Sequence, residues 1–151
     1  STFFLTIPVN EEAIDQPVLN HQDQPFKQKN KPLVLVVEDN VVNANLVKLY
    51  LEDYCEIVIV RSFNESIKAL SQFKFQAILL DIHLGNGPDG LEIVKELKKK
   101  PNGENIPVIA VSGFDTMMDK IKCSNEGINY YLTKPFSKKQ IIQLLSSLKI
   151  I

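Results

Sequence analysis

A chain of 151 residues is long enough for one domain with a true core plus tails, since domains commonly run to about 100–150 residues. The net charge is −1, with 17 basic and 18 acidic residues spread along the chain, so the electrostatic footprint of a nucleic-acid binder is missing. Cys55 and Cys123 are too few for a disulfide framework and lack ligand spacing, and read as buried thiols of a reducing cytosol. No apolar stretch approaches the roughly 18 residues of a membrane span, and no basic-then-apolar leader opens the sequence.

Residues 2–9, Thr-Phe-Phe-Leu-Thr-Ile-Pro-Val, are strand-like but too short to fold alone. Residues 10–31 are rich in Gln, Asn, Asp, Glu and Pro without periodicity, and read as a linker. From residue 32 short β-rich runs alternate with amphipathic stretches, the pattern of βα units on a parallel sheet, and five such units fit. The first strand is Leu33–Val37. A helix follows from about Asn40, with Asp39 or Asn40 as its cap and with Val42, Leu46, Leu49 and Tyr50 at helical spacing. Strand two is Glu56–Val60, and Ser62-Phe63-Asn64-Glu65 has the form of a capping box opening a helix that turns Ile67, Leu70 and Phe73 inward. The run Phe75–Leu80 leads to Asp81. Helix three begins near Asp89-Gly90, presents Leu91, Val94 and Leu97, and ends in the lysines 98–100, a solvated end that suits the helix dipole. The turn Pro101-Asn102-Gly103 precedes the run Ile106–Val111, helix four covers about residues 115–125, and Tyr130–Thr133 is the last strand. Ser137 caps the final helix, lined by Ile141, Leu144, Leu145 and Leu148. The predicted architecture is a five-stranded doubly wound α/β domain.

In an open parallel sheet, strand ends at the switch point share one crevice. Glu38-Asp39 after the first strand and Asp81 after the third should therefore converge, with Ser112 and Lys134 delivered by strands four and five. Three carboxylates with one nearby ammonium repel one another unless a cation is present, and a divalent ion brings the crevice to neutrality. Oxygen-only ligands with one or two direct carboxylates favour Mg²⁺, which retains waters and accepts phosphate oxygens. A phosphoryl group is then the natural visitor, with Mg²⁺, an amine and a hydroxyl neutralising its oxygens and Asp81 as a nucleophile forming an acyl phosphate.

These residues, in this order, resemble the response-regulator receiver domain of two-component signalling over residues 32–151. The resemblance implies the flavodoxin-like strand order 2-1-3-4-5. It makes Glu38 and Asp39 the acidic pair, Asp81 the phospho-acceptor, and Gly90 the glycine opening helix three. Ser112 becomes the switch hydroxyl, Tyr131 the rotating aromatic, and Lys134 the lysine of a Lys-Pro-Phe motif with a cis Lys134-Pro135 bond. His83 would lend its backbone carbonyl to Mg²⁺. The implied activity is self-catalysed phosphorylation of Asp81 from a phosphohistidine, followed by relay or by a conformational switch on the face of helix four, strand five and helix five. Implied partners are a histidine kinase phosphodonor domain or a histidine-phosphotransfer protein, with neither nucleic acid nor direct membrane contact. Glu38-Asp39-Asn40-x-x-Asn43-x-x-Leu46 is similar to receivers joined to histidine kinases, and residues 1–9 resemble the last strand of a kinase ATP-binding domain. That likeness implies the C-terminal receiver of a cytoplasmic or membrane-anchored hybrid sensor kinase, without ATP binding or kinase activity in this chain and without a DNA-binding domain after Ile151.

Each residue also has a plainer reading. Asp39 alone would serve as a cap, Ser112 as a turn residue, Lys134 as a surface lysine and Tyr131 as a strand aromatic, and it is their joint placement at strand ends that favours function. His21 lies in the linker with no helix to present it as a phospho-donor. Gly85-Asn86-Gly87 lacks the Gly-Lys-Ser/Thr ending of a phosphate loop. An aspartate-nucleophile phosphohydrolase on a similar fold normally needs a second Asp two residues after the nucleophile, and that position holds His83. A pseudo-receiver acting only as a binding module is the other alternative, opposed by the intact acidic, hydroxyl and lysine positions. Phe114, two residues after Ser112, offers no group to orient an attacking water, so slow autodephosphorylation is expected. Oligomeric state, input signal and cognate partners are not legible in the sequence.

Overall fold

The computed structural model describes residues 30–85, 89–113 and 117–151. The five apolar runs become five parallel strands: β1 Leu33–Val37, β2 Glu56–Val60, β3 Ala77–Asp81, β4 Val108–Ser112 and β5 Tyr130–Thr133. They lie in the order β2-β1-β3-β4-β5. The helices are α1 Val41–Leu51, α2 Phe63–Gln72, α3 Gly90–Lys98, α4 Met117–Asn125 and α5 Lys138–Ser147, with a short 3-10 turn at Gly103–Asn105. Asp81 and Ser112 are the last residues of their strands rather than the first of their loops. The proposed tail boundaries, 1–9 and 10–31, fall almost wholly outside the described residues.

Alternation along the strands divides the core in two. Leu35, Val37, Ile78, Leu80 and Ala110 point to one face, where Leu70 of α2, Ile93, Val94 and Leu97 of α3, and Cys123 of α4 cover them. Val34, Val36, Leu79, Ile109, Val111 and Leu132 point to the other, against Val47 and Leu51 of α1 and Ile141 and Leu145 of α5. Central strands buried on both faces explain why their sequences are continuously apolar rather than alternating. Both cysteines are buried free thiols, and burial pushes the Cys55 thiol up to about 11.

Local chemistry ends each helix as its residues require, with three corrections. Residues 41–51 are apolar almost all round, so periodicity could not choose the buried face. Ala44, Val47 and Leu51 are the buried set, while Val42 (74% exposed) and Leu49 (60%) face outward and Leu46 is exposed with them. The Ser62 hydroxyl accepts from the Glu65 N–H, but the Glu65 carboxylate reaches the Arg61 N–H instead of closing a box with Ser62. Phe73 is not inward-facing: it stands past the end of α2 with extended backbone and is exposed, its ring 6.0 Å from that of buried Phe75. The complete capping box is at Ser137, whose hydroxyl accepts from the Gln140 N–H while the Gln140 side chain accepts from the Ser137 N–H. No described helix is long and apolar enough to cross a membrane.

Candidate phosphoryl and cation site

The switch point lies between β1 and β3, where connections leave toward opposite faces of the sheet and open a crevice. Pairing of Val37 with both Val60 and Leu80 sets Glu38 and Asp39 beside Asp81, and pairing of Asp81 with Val111 sets Ser112 next to it. The Ser112 carbonyl accepts from the Lys134 N–H at 2.8 Å, which fixes the base of the lysine at the same mouth. The Lys134-Pro135 peptide is cis.

Glu38 and Asp81 are buried and Asp39 is exposed, and one oxygen from each lies within 4.8 Å of the others. Lys134 Nζ bridges the two buried acids, donating to Glu38 Oε2 at 2.6 Å and to Asp81 Oδ2 at 2.7 Å. The second oxygen of Asp81 accepts from the His83 N–H at 3.0 Å, and that of Glu38 from the Asn40 N–H at 3.1 Å. Both buried carboxylates are thus held in orientation from two sides, and no described buried side-chain polar atom lacks a partner. Burial pushes the Glu38 carboxyl above its ordinary range; the bond from Lys134 opposes this and the Asp81 charge reinforces it. Burial alone would lower the Lys134 ammonium, but its bonds to Asp81 and Glu38 outweigh that and hold its pKa above the usual value.

Asn40, not Asp39, caps α1: its side-chain oxygen accepts from the Val42 and Asn43 N–H groups. That leaves the Asp39 carboxylate at the crevice mouth, which removes the plainer reading of Asp39 as a cap. Three carboxylate oxygens against one ammonium form a hard, oxygen-only donor set with net negative charge, which fits a small divalent cation.

Tyr131 is half-buried, its hydroxyl donating to the Ile128 carbonyl at 2.7 Å and lying 3.2 Å from the Lys120 carbonyl. The cavity between Ser112 and Tyr131 measures about 20 Å³, too small for a ring, so inward rotation of Tyr131 requires its neighbours to move. His83 is exposed with Nε2 4.0 Å from Asp119 Oδ2 of α4. No sequence signal pointed to Asp119, because that contact joins a loop to a helix 36 positions later. Gly85, in the sequence only part of a Gly-Asn-Gly run that lacks the phosphate-loop ending, has a steric role here. Its φ is +25°, and a Cβ there would stand 3.0 Å from Asp39 Oδ2, so glycine keeps the acidic mouth open. Asn86, Gly87 and Phe114 lie outside the described residues, as does His21.

Fold and crevice together define a flavodoxin-like α/β domain with a cluster of three carboxylates at its switch point. A response regulator receiver domain model matches residues 34–146, so the chain belongs to that family and is a receiver domain of two-component signalling. It is 30% identical over 124 residues to the sensor protein GacS of Pseudomonas syringae pv. syringae, covering 80% of this chain but 14% of that protein. The chain therefore spans about a seventh of the length of that relative. It is 33% identical over 115 residues to the polar-differentiation response regulator DivK of Brucella ovis, covering 76% of this chain and 93% of DivK. Among solved structures it is similar to the receiver domain of sensor histidine kinase PA1611 from Pseudomonas aeruginosa PAO1. There the TM-score is 0.71 and identity 27%, covering 78% of this chain and 96% of that one, and that structure has a magnesium ion coordinated in its active-site cleft.

Proposed function

We propose that Asp81 accepts a phosphoryl group from a phosphohistidine and either passes it to a histidine-phosphotransfer partner or switches the α4–β5–α5 face. The observation that carries this reading is a buried Asp81 whose two oxygens are each held by a donor, the His83 N–H and the Lys134 ammonium, beside two further carboxylates. In the reaction a carboxylate oxygen of Asp81 forms a bond to phosphorus as the phosphorus–nitrogen bond of the donor breaks, and the electron pair of that bond leaves with the imidazole. Lys134, already 2.7 Å from Asp81 and kept protonated by its two carboxylate partners, neutralises charge gathering on the transferred oxygens. In this reading Ser112, at the end of β4 beside Asp81, follows the incoming group with its hydroxyl, and Tyr131 answers it.

Asp39 and Asp81 would hold Mg²⁺ directly, with the His83 carbonyl as a further ligand. Glu38 joins them as the third carboxylate of the cluster, held in place by Lys134 and the Asn40 N–H. When bound, the ion supplies positive charge and oxygen-coordination sites for the phosphoryl group. Phe114 provides no group to orient a hydrolytic water, which favours a long-lived phospho-aspartate. The linker-like residues before the domain and the likeness to GacS support an origin as the C-terminal receiver of a hybrid kinase, whose signal and partners would belong to the whole protein.

Intact mass after incubation with acetyl phosphate and Mg²⁺ tests the reading. One phosphoryl adduct is expected, absent in Asp81→Asn and in EDTA; an adduct that survives Asp81→Asn would sink it.

A further inference from the structure

The end of the sheet opposite the crevice carries a groove of about 690 Å³ between the C-terminal ends of α2 and α3. Exposed Phe73, buried Phe75 and Leu97, and half-buried Ile106 give it an apolar floor, and Lys74 and Lys100 line it with positive charge. Neither lysine pairs with a carboxylate among the described residues. The chain enters the domain at this same end: the Leu33 N–H donates to the Gln76 side chain at 2.6 Å and the Gln76 N–H to the Leu33 carbonyl at 2.9 Å, and Gln76 lines the groove.

Twenty-nine residues precede the first described one. The first 26 contain four carboxylates, Glu11, Glu12, Asp15 and Asp23, and neither lysine nor arginine. Within them Glu11-Glu12-Ala13-Ile14-Asp15-Gln16-Pro17-Val18-Leu19 alone sets three acids among apolar side chains. We propose that residues 11–19 dock in this groove, with Ile14, Val18 and Leu19 on the apolar floor and Glu11, Glu12 and Asp15 against Lys74 and Lys100. Leu19 stands 14 positions before Leu33, a separation that an unstructured chain spans with about 20 Å, and the groove lies beside Leu33. Tethering at that range presents the segment at roughly millimolar effective concentration, so a weak intrinsic affinity suffices. The docked segment lies a full strand length, about 17 Å, from Asp81, so it fixes the direction from which the preceding chain arrives and leaves the phosphoryl crevice open.

The test uses the full chain with Gln16→Cys carrying a nitroxide label; Cys55 and Cys123 are buried and spared by the reagent. Amide signals of Phe73, Gln76, Asn102 and Asn105 are expected to lose most of their intensity through paramagnetic relaxation, while those of Asp81 and Tyr131 keep theirs. Lys74→Glu with Lys100→Glu should restore the lost signals, and adding Glu11→Lys with Glu12→Lys should quench them again. Quenching that is absent, spread evenly over the surface, or indifferent to the charge reversal overturns the proposal. So does quenching carried from spin-labelled to isotope-labelled molecules in a mixed sample, which would assign the groove to a second copy.

Discussion

The two ends of the sheet are built from the same five strands, yet they want opposite charges. Every crossover helix begins at the C-terminal end of a strand, so helix N-termini crowd around the crevice and helix C-termini around the opposite end. Carboxylates collect at the first end, namely Glu38, Asp39, Asp81 and Asp89, and lysines at the second, with Lys48, Lys95, Lys98 and Lys122 in the last turns of their helices. Lys134 is the mostly buried exception, a cation set among the carboxylates and anchored by two of them, whereas the acids at the other end, Glu52, Glu56 and Glu104, are exposed. The difference teaches that βα topology sets a background polarity, and that chemistry arises where a residue opposes it from a buried position.

The largest effects should come from replacing that exception. Lys134→Ala leaves two buried carboxylates unpaired, and removing one partner of a fully buried pair costs about 3–5 kcal/mol. Partial exposure of this lysine brings the expectation down to about 2–3 kcal/mol. Phosphorylation by acetyl phosphate should fall by about 100-fold or more, the scale of losing one preorganised charge-stabilising group. Lys100→Ala at the other end should stay within about 0.5 kcal/mol and leave phosphorylation unchanged. Thermal melts and adduct rates for both variants check the pair, and equal losses would erase the contrast between the ends.

Two glycines sharpen it next. A Cβ on Gly90 would stand 2.6 Å from the Asp81 carbonyl oxygen, and one on Gly103 only 1.9 Å from that of Leu97. Both Ala variants should lose about 1–3 kcal/mol by overpacking, with Gly103→Ala the more costly in denaturant titrations. Only Gly90→Ala should also slow phosphorylation, because the backbone it displaces carries Asp81.

A smaller effect is pH-dependent. The Cys55 thiol titrates at about 11 in the folded chain against 9.0 ordinarily, because burial disfavours the thiolate. Its contribution to stability is fully present below pH 9 and is lost as pH rises through about 11, with a slope of at most about 1.4 kcal/mol per pH unit. Cys55→Ala should flatten that part of the alkaline decline. An unchanged slope between wild type and variant would show that the thiol does not carry it.

The fold was legible because short apolar runs alternate with longer mixed stretches: β1, β2 and β5 have the expected bounds, while β3 and β4 each begin two residues after the start of the apolar run and end one residue past it, on the acid and the hydroxyl. Asp81, Ser112 and Lys134 were legible for the same reason, since a polar residue closing an apolar run is visible in one dimension. What escaped was anything decided across the chain. The buried face of α1 was hidden by apolar residues all around it, and Phe73 was misplaced because α2 stops one residue before it. The bridging of Glu38 and Asp81 by one ammonium, and the approach of Asp119 to His83, join residues far apart in sequence and leave no local pattern.

Between Asp39 and Asn40 the sequence offered either residue as the cap, and the structure divides the work: Asn40 satisfies the helix and Asp39 faces the crevice. The division can be broken from both sides. Asn40→Ala removes the acceptor for the Val42 and Asn43 N–H groups and should cost about 1 kcal/mol, with Mg²⁺ affinity nearly unchanged. Asp39→Asn removes an exposed like charge from beside Glu38 and Asp81, so stability in EDTA should hold or rise slightly while Mg²⁺ affinity falls. Denaturant titration with and without Mg²⁺ reads both quantities in each variant. If Asp39→Asn costs as much stability as Asn40→Ala, the aspartate is supporting the helix and the cation site must be drawn without it.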